Sequence, residues 1–116
     1  MQRKATRQSR GPNAAEKRFH DYQKNKGVCD ACNSERPLIL HHAEGSTFKN
    51  NKQLCGHWFV LGLCQECDDM VTNGSRRELR KHYGPQSEMW TDAIADYQLK
   101  GECPASVWMA IVDWGR

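Results

Sequence analysis

Short apolar runs separated by long polar stretches mark this chain and predict a mixed α+β fold. Residues 36–42 (RPLILHH) and 57–63 (HWFVLGL) are typical of two short β-strands. The stretch between them, residues 43–56, is rich in Gly, Asn, Lys and Ser, and this composition predicts a loop. We therefore expect the two strands to form one hairpin-like unit.

Helices are predicted on both sides of these strands. Asn13 can cap a helix over residues 14–26, with Glu16 at its third position and Gly27 at its left-handed end. A short helix over residues 65–71 should follow the second strand directly. The strand pair is therefore expected to lie between a longer helix and a shorter one.

The last third of the chain predicts three more helices. Ser75 and Glu78 have the spacing of a capping box, and Gly84-Pro85 ends the helix that they begin. Apolar residues recur at helical spacing over residues 88–100 and 104–114. Their aromatic side chains are interpreted as core residues rather than as surfaces for stacking bases.

Length and composition predict one small domain preceded by a basic arm. The 116 residues support one modest core, and no apolar run is long enough to span a membrane. Residues 1–26 hold eight Lys or Arg against two acids. We expect a disordered arm over residues 1–12 and a single domain over residues 13–116, in which residues 27–85 form the core and residues 86–116 the C-terminal helices.

The basic residues indicate a polyanionic partner, nucleic acid first. Those expected to contact DNA are Arg3, Lys4, Arg7 and Arg10 in the arm and Arg76, Arg77, Arg80 and Lys81 in the helix after Ser75. A solubilising tail and a solvated helix face are the alternatives. The basic N-terminus has no apolar segment behind it, so it is not a secretory signal, and a cytoplasmic location is expected.

Two Cys-x-x-Cys pairs give the strongest chemical signal in the sequence. The pairs Cys29/Cys32 and Cys64/Cys67 flank the predicted strands, and together they supply the four thiolates of a tetrahedral structural zinc site. A thioredoxin-like redox site is the competing interpretation, but it would need a βαβ context that the pattern lacks. Cys55 and Cys103 have no partner at this spacing and are expected to stay unligated.

Histidines stand at the strand ends next to these cysteine pairs. His41 and His42 end the first strand, His57 begins the second, and Asp68 directly follows the second cysteine pair. Four such groups around one cleft are what metal-assisted phosphodiester cleavage requires. Neighbours in a strand point to opposite faces, however, so two adjacent histidines share a site only if the strand bends at residues 43–45. His20 and His82 are interpreted as surface residues.

This set of residues resembles the zinc-bearing HNH (ββα-metal) endonucleases, most closely the small phage recombination nucleases of the Ref-like, RecA-dependent type and the endonuclease VII class. The resemblance covers about residues 27–85 and implies a zinc-stabilised ββα-metal core with flanking helices. It implies His41 as a metal ligand, His42 as general base, His57 as a residue that positions the base, and Asp68 as the second ligand of a catalytic ion.

Two departures from the family pattern leave alternatives open. Asp68 stands where the family usually has a His, which favours Mg²⁺ or Mn²⁺ over zinc and is also compatible with a site that has lost activity. Asn50 and Asn51 compete with His57 for the place of the family's central Asn. Glu44 is a further candidate ligand.

The sequence therefore predicts a metal-dependent DNA endonuclease, phage or prophage encoded, acting in recombination or repair in a bacterial cytoplasm. A non-catalytic zinc-stabilised DNA-binding module and a protein-interaction adaptor are the alternatives. The sequence does not determine which DNA structure is the substrate or whether the protein prefers a base sequence. It also leaves open whether the protein forms a homodimer and whether it needs a recombinase filament as partner. No membrane partner is expected.

Overall fold

The protein is described by a computed structural model for residues 11–74 and 76–116, with the side chain of Arg76 left out. The predicted arm, residues 1–12, therefore lies outside the described residues except for its last two. Five α-helices and four short strands follow one another in the described part, in the order α1 (Ala14–Asn25), β1 (Ile39–His42), β2 (Lys49–Asn50), β3 (Gln53–Leu54), β4 (Val60–Leu63), α2 (Gln65–Asp69), α3 (Arg76–Tyr83), α4 (Gln86–Asp96) and α5 (Ala105–Trp114). The predicted α+β class is confirmed, whereas an HNH core stays a prediction.

The central unit is an antiparallel pair of strands followed by a helix. β1 pairs with β4 in a register that sets His41 opposite Leu61 and His42 opposite Val60. α2 begins immediately after β4 and contacts both strands. The predicted loop between the strands was only partly correct, because β2 and β3 form a second small hairpin within it.

The helix α1 begins and ends as its sequence predicts. The Asn13 side chain accepts a hydrogen bond from the backbone N–H of Glu16, and the Glu16 side chain accepts one from the backbone N–H of Asn13, which completes a capping box. Gly27 has a φ of 81°, the left-handed conformation that ends a helix at little cost when the residue has no Cβ.

The other helix boundaries differ from the prediction by a few residues. α2 is shorter than expected and continues as a π-helical turn, Met70–Gly74. Ser75 lies outside the described residues, so its capping role is untested. α4 starts earlier than predicted and ends at Asp96, because Tyr97 adopts an extended backbone instead of continuing the helix. A 3₁₀ turn, Lys100–Glu102, then leads to α5.

Trp90 and Tyr97 belong to the core, as predicted, and the partly buried Trp108 packs against it, whereas Trp114 at the end of α5 is 47% exposed. Trp90 and Ile94 of α4 and Ile111 of α5 are fully buried, and Tyr97 is nearly so. The Trp90 indole N–H donates a hydrogen bond of 2.6 Å to the backbone carbonyl of Trp58, so its one polar atom is satisfied inside the core. Burial of such large side chains contributes roughly 1.5–3 kcal/mol each.

A polar network holds α1 against β4. The fully buried Gln23 side chain donates hydrogen bonds to the carbonyl of Val60 (2.9 Å) and to the carboxylate of Asp30 (3.0 Å). Asp30 also accepts from the backbone N–H of Gly62 at 2.9 Å and pairs with Lys26. A Cβ atom at Gly62 would lie 2.3 Å from the Gln23 carbonyl oxygen, so the close approach of helix and strand requires glycine there.

No helix among the described residues combines the length and the apolar character needed to cross a membrane.

Candidate functional site

The first cysteine pair lies on a tight turn after α1. The Cys29 backbone N–H donates to the carbonyl of Ser34, and the Asn33 backbone N–H donates to the carbonyl of Cys29, each at 3.0 Å. Asn33 has a φ of 63°, a left-handed conformation that asparagine adopts more readily than most residues. This turn folds Cys32 back towards Cys29.

The second cysteine pair lies at the start of α2, where Cys64 is the N-cap residue. The Cys64 backbone N–H approaches the Cys29 sulfur at 3.4 Å, and the Cys32 and Cys64 sulfurs are 3.7 Å apart. All four sulfurs lie within 4.8 Å of one another. Zn–S bonds of about 2.3 Å place the sulfurs of a tetrahedral site about 3.8 Å apart. The four cysteines can therefore bind a structural metal such as zinc.

The thiols of this cysteine cluster differ in acidity. Burial raises the pKa of Cys32, but hydrogen bonds with Ser34, Cys29 and Cys64 together outweigh it and lower that pKa to about 6. Burial and the neighbouring Cys29 raise the pKa of Cys67, and burial raises that of Cys29 as well. Four thiolates in this space repel one another, and a divalent cation among them removes that repulsion.

None of the six cysteines forms a disulfide, and two of them lie outside the cluster. Cys55 and Cys103 are buried, and their sulfurs point to backbone carbonyls of Gln53 and Pro104. Burial raises the pKa of Cys103 to about 12, which keeps this thiol protonated near neutral pH. Both behave as small apolar core residues.

His41 and Asp68 meet between β1 and α2. His41 Nδ1 lies 3.6 Å from a carboxylate oxygen of Asp68, and both side chains are largely shielded from solvent. Asp68 is held there because its backbone N–H donates to the Cys64 carbonyl in the first turn of α2. This histidine–aspartate pair offers one imidazole and one carboxylate to a cation whose other ligands are water.

His42 takes part in a different group. β1 stays regular through His42, so the side chains of His41 and His42 point to opposite faces of the strand. The His42 ring lies 5.9 Å from the ring of His57 and 5.7 Å from the ring of His20, measured between centroids. The four side chains predicted to surround one cleft therefore form two groups, His41 with Asp68 and His42 with His57.

His20 joins the second group, and its interpretation as a surface residue was wrong. It is 9% exposed, and its Nε2 lies 2.6 Å from the backbone carbonyl oxygen of His57. One nitrogen from each of His20, His42 and His57 lies within 4.8 Å of the others, which defines the histidine cluster. The helical spacing of Phe19, His20 and Gln23 could have indicated that His20 is buried, but not which residues it contacts.

Burial changes the acidity of the histidine cluster. It is the main cause that lowers the pKa of both His20 and His42 below the ordinary value of 6.5. The positive charge that a protonated neighbour would carry lowers the pKa of His42 further. Both rings are therefore neutral near pH 7, the form in which an imidazole accepts a proton or binds a metal.

The alternatives for the central family position are separated in space. Asn50 donates a hydrogen bond to the carbonyl of Ala110 at 2.8 Å, and Asn51 donates one to Asp113 at 3.0 Å. Both tie the small hairpin to α5, whereas His57 lies beside His42. Glu44, the further candidate ligand, lines a different cavity with Arg80 and Trp114.

The predicted DNA-contacting residues are described only in part. Arg3, Lys4, Arg7 and Arg10 lie outside the described residues, as does the side chain of Arg76. Arg77, Arg80 and Lys81 are exposed on α3, which the buried Leu79 anchors to the body. This face of α3 is open to a polyanion.

Comparison with known proteins gives no match. No protein-family model matches the chain, and neither a curated protein nor a solved structure does so. The functional assignment therefore depends on the residues and their geometry.

Proposed function

We propose that this protein is a metal-dependent DNA endonuclease of the HNH type, which hydrolyses phosphodiester bonds. The observation that carries the proposal is the distance of 3.6 Å between His41 Nδ1 and the Asp68 carboxylate. The next residue in sequence is His42, which is half-buried and whose pKa burial lowers. The cysteine cluster fixes the start of α2, and hence Asp68, relative to β1. The resemblance of this residue pattern to HNH nucleases supports the same function.

His41 and Asp68 are the residues that would hold the catalytic ion. A carboxylate beside a single imidazole suits Mg²⁺ or Mn²⁺, which accept water as their remaining ligands. When bound, such an ion neutralises the scissile phosphate and stabilises the leaving oxygen.

His42 is the proposed general base. Its neutral imidazole accepts the proton of the attacking water, and its lowered pKa keeps it neutral when the reaction starts. His42 leaves β1 on the face opposite His41, so the proposal requires the scissile phosphate to lie across the end of β1, between the two groups. His57, 5.9 Å from His42 between ring centroids, restricts the orientation of the base.

Exposed cations on α3 are the proposed contacts to the DNA backbone. Arg77, Arg80 and Lys81 would bind phosphates without reading sequence, and the basic residues of the arm would add to the affinity. The same proposal includes a role in phage or prophage recombination or repair inside a bacterial cytoplasm. The partner there would be a recombinase filament or a second copy of the chain.

A plasmid-nicking assay tests the proposal. The purified protein is incubated with supercoiled plasmid and Mg²⁺ or Mn²⁺, beside His42→Ala and the matched control His82→Ala. His82 is a suitable control because its side chain is 54% exposed on α3. Nicking by wild type and His82→Ala, but not by His42→Ala, is the expected result.

Other outcomes of the assay decide between the alternatives. Retardation of DNA without nicking would replace the nuclease with a zinc-stabilised DNA-binding module. If the protein neither nicks nor retards DNA, the nuclease and the DNA-binding module are both excluded. A protein-interaction adaptor is then left, for which the exposed Met109 and Trp114 on α5 are the candidate contact residues. Equal nicking by all three proteins would mean that His42 is not the base.

A further inference from the structure

Three elements that are distant in sequence bring histidine rings together. His20 comes from α1, His42 from the end of β1, and His57 from the segment before β4. The ring centroids are 5.7 Å, 5.9 Å and 6.2 Å apart. Three imidazoles at such distances, without a carboxylate in the group, need an explanation beyond packing.

The hydrogen bond of His20 selects one tautomer. A carbonyl oxygen only accepts hydrogen bonds, so the Nε2 of His20 must donate to the carbonyl of His57 over their 2.6 Å separation. In the neutral ring the lone pair then lies on Nδ1. Histidines that bind metals commonly donate their other ring N–H to a backbone carbonyl in this way, which fixes both tautomer and ring orientation.

His57 has a nitrogen whose hydrogen-bonding capacity is unused. Its Nδ1 is buried and has no hydrogen-bond partner among the residues that the structure describes. A buried polar atom without a partner destabilises the folded state, so such atoms are rare unless a ligand or water satisfies them. A metal ion bound at this nitrogen would accept its lone pair and satisfy it.

The dimensions of the group fit a metal ion. Zn–N bonds of about 2.0–2.1 Å place two ligand nitrogens of a tetrahedral site about 3.4 Å apart. One nitrogen from each of the three rings lies within 4.8 Å of the others, so binding an ion at these bond lengths requires the rings to move closer together. His42 and His57 are partly exposed, so an ion can reach the group from solvent.

We propose that His20, His42 and His57 form a three-histidine site for a divalent transition metal, Zn²⁺, Co²⁺ or Ni²⁺. The site is separate from the cysteine cluster and from the histidine–aspartate pair. Imidazole ligands suit these borderline ions, whereas Mg²⁺ prefers oxygen ligands. Three protein ligands leave the fourth position of a tetrahedral ion to water.

Occupation of this site has a consequence that rests on the proposed function. An ion bound by His42 engages the lone pair with which His42 would accept a proton from water. Zn²⁺ is therefore an inhibitor of Mn²⁺-dependent cleavage that acts through the three histidines. The chain would then be active only where free transition metal is scarce.

Cobalt binding tests the site without any activity measurement. Co²⁺ is titrated near neutral pH into EDTA-washed protein that keeps one zinc, in the cysteine cluster, and binding is followed by calorimetry and by the visible absorption of tetrahedral Co²⁺. Exchange into the cysteine cluster is recognised separately by thiolate-to-cobalt charge transfer in the near ultraviolet. We expect about one additional equivalent of Co²⁺ in wild type.

Matched variants assign that equivalent to the histidine cluster. His20→Gln keeps an N–H donor for the carbonyl of His57, and it should bind Co²⁺ at least about tenfold more weakly than wild type. His57→Gln should lose the same binding, and it decides the question if the buried His20→Gln protein does not fold. His82→Ala and Asp68→Ala should bind Co²⁺ as wild type does. Equal affinity in wild type, His20→Gln and His57→Gln would overturn the site.

A nicking assay with added Zn²⁺ tests the inhibition. Zn²⁺ should stop Mn²⁺-dependent nicking by wild type at concentrations that leave His20→Gln active, because the variant keeps His42 and the histidine–aspartate pair. Equal sensitivity of the two proteins would overturn the inhibitory role. A wild type that binds Co²⁺ at the three histidines but never nicks DNA would overturn the proposed nuclease and leave the metal site standing.

Discussion

The cysteine cluster and the histidine cluster are both groups of metal-ligand side chains, but they are assembled in different ways. The cysteines come from two tight turns, each of which presents two sulfurs three residues apart. The histidines come one each from a helix, a strand end and a loop. Local turns prepare the first cluster, whereas only the packing of α1 against the strands completes the second.

Because of this difference, we expect the cysteine cluster to determine the stability of the fold and the histidines to determine metal binding and catalysis. A metal in the cysteine cluster would hold together two segments of chain on which β1, β4 and α2 depend, so its loss should affect the whole fold. The histidine cluster and the histidine–aspartate pair lie on the two faces of β1, and of their residues only His20 is buried. Substitutions there should change metal binding or rate while the fold remains.

Loss of one cysteine ligand is expected to have the largest effect. Cys64→Ser removes a thiolate from the candidate zinc site, and because structural zinc contributes on the order of 10 kcal/mol to such small domains, the variant should be unfolded. Circular dichroism and elemental analysis after EDTA washing measure this, with about one zinc per folded chain expected in wild type. Cys103→Ser, outside the cluster, should keep both fold and zinc. A folded, zinc-free wild type would refute the prediction.

Substitutions on the two faces of β1 should lower the cleavage rate for different reasons. His42→Ala removes the proposed base, so the cleavage rate should fall by roughly 10²–10⁴-fold while the affinity for Mn²⁺ stays unchanged. Asp68→Ala removes a ligand of the ion, so higher Mn²⁺ concentrations should restore part of the rate. Initial rates over a series of Mn²⁺ concentrations distinguish the two. The same Mn²⁺ dependence in both variants would show that the two faces do not have separate roles.

Release of α1 from β4 should affect the histidine cluster more than the cysteine cluster. Gln23→Ala leaves the buried carbonyl of Val60 without its side-chain donor and removes one of the three donors to the Asp30 carboxylate, which should cost about 1–3 kcal/mol of the free energy of unfolding. Urea denaturation measures that loss, and Co²⁺ titration should show weaker binding at the histidines with zinc content unchanged. Gln65→Ala, an exposed control on α2, should change neither quantity.

Loss of an ion pair on the surface of α1 should have the smallest effect on stability. Arg18 of α1 pairs with Glu102 at 2.6 Å, and a hydrogen bond from Arg18 lowers the pKa of Glu102 below 4.5. A lowered carboxyl pKa stabilises the fold above pH 4.5, and this contribution is lost as pH falls through the folded-state pKa. Both groups are exposed, so Glu102→Gln should hardly change the melting temperature at neutral pH. A shift as large as that of Gln23→Ala would show that this pair, not the buried network, holds α1.

Local chemistry in the sequence determined much of this molecule. Asn13 and Gly27 set the ends of α1, because capping and left-handed φ values depend on single residues. The Cys-x-x-Cys spacing predicted the cysteine cluster for the same reason, since each pair needs only one turn. The apolar runs predicted β1 and β4, although each observed strand is shorter than its run, because pairing ends where the partner strand ends.

Only the tertiary structure determined which of the candidate site residues lie together. A sequence shows His41, His42, His57 and Asp68 as neighbours of the same motif, but the pleat of β1 places the first two on opposite faces. His20 is separated from His42 by 21 intervening residues, and it reaches the cluster because Gly62 allows α1 to approach β4 closely. Such contacts depend on packing distances between whole elements, and no local pattern in the sequence encodes them.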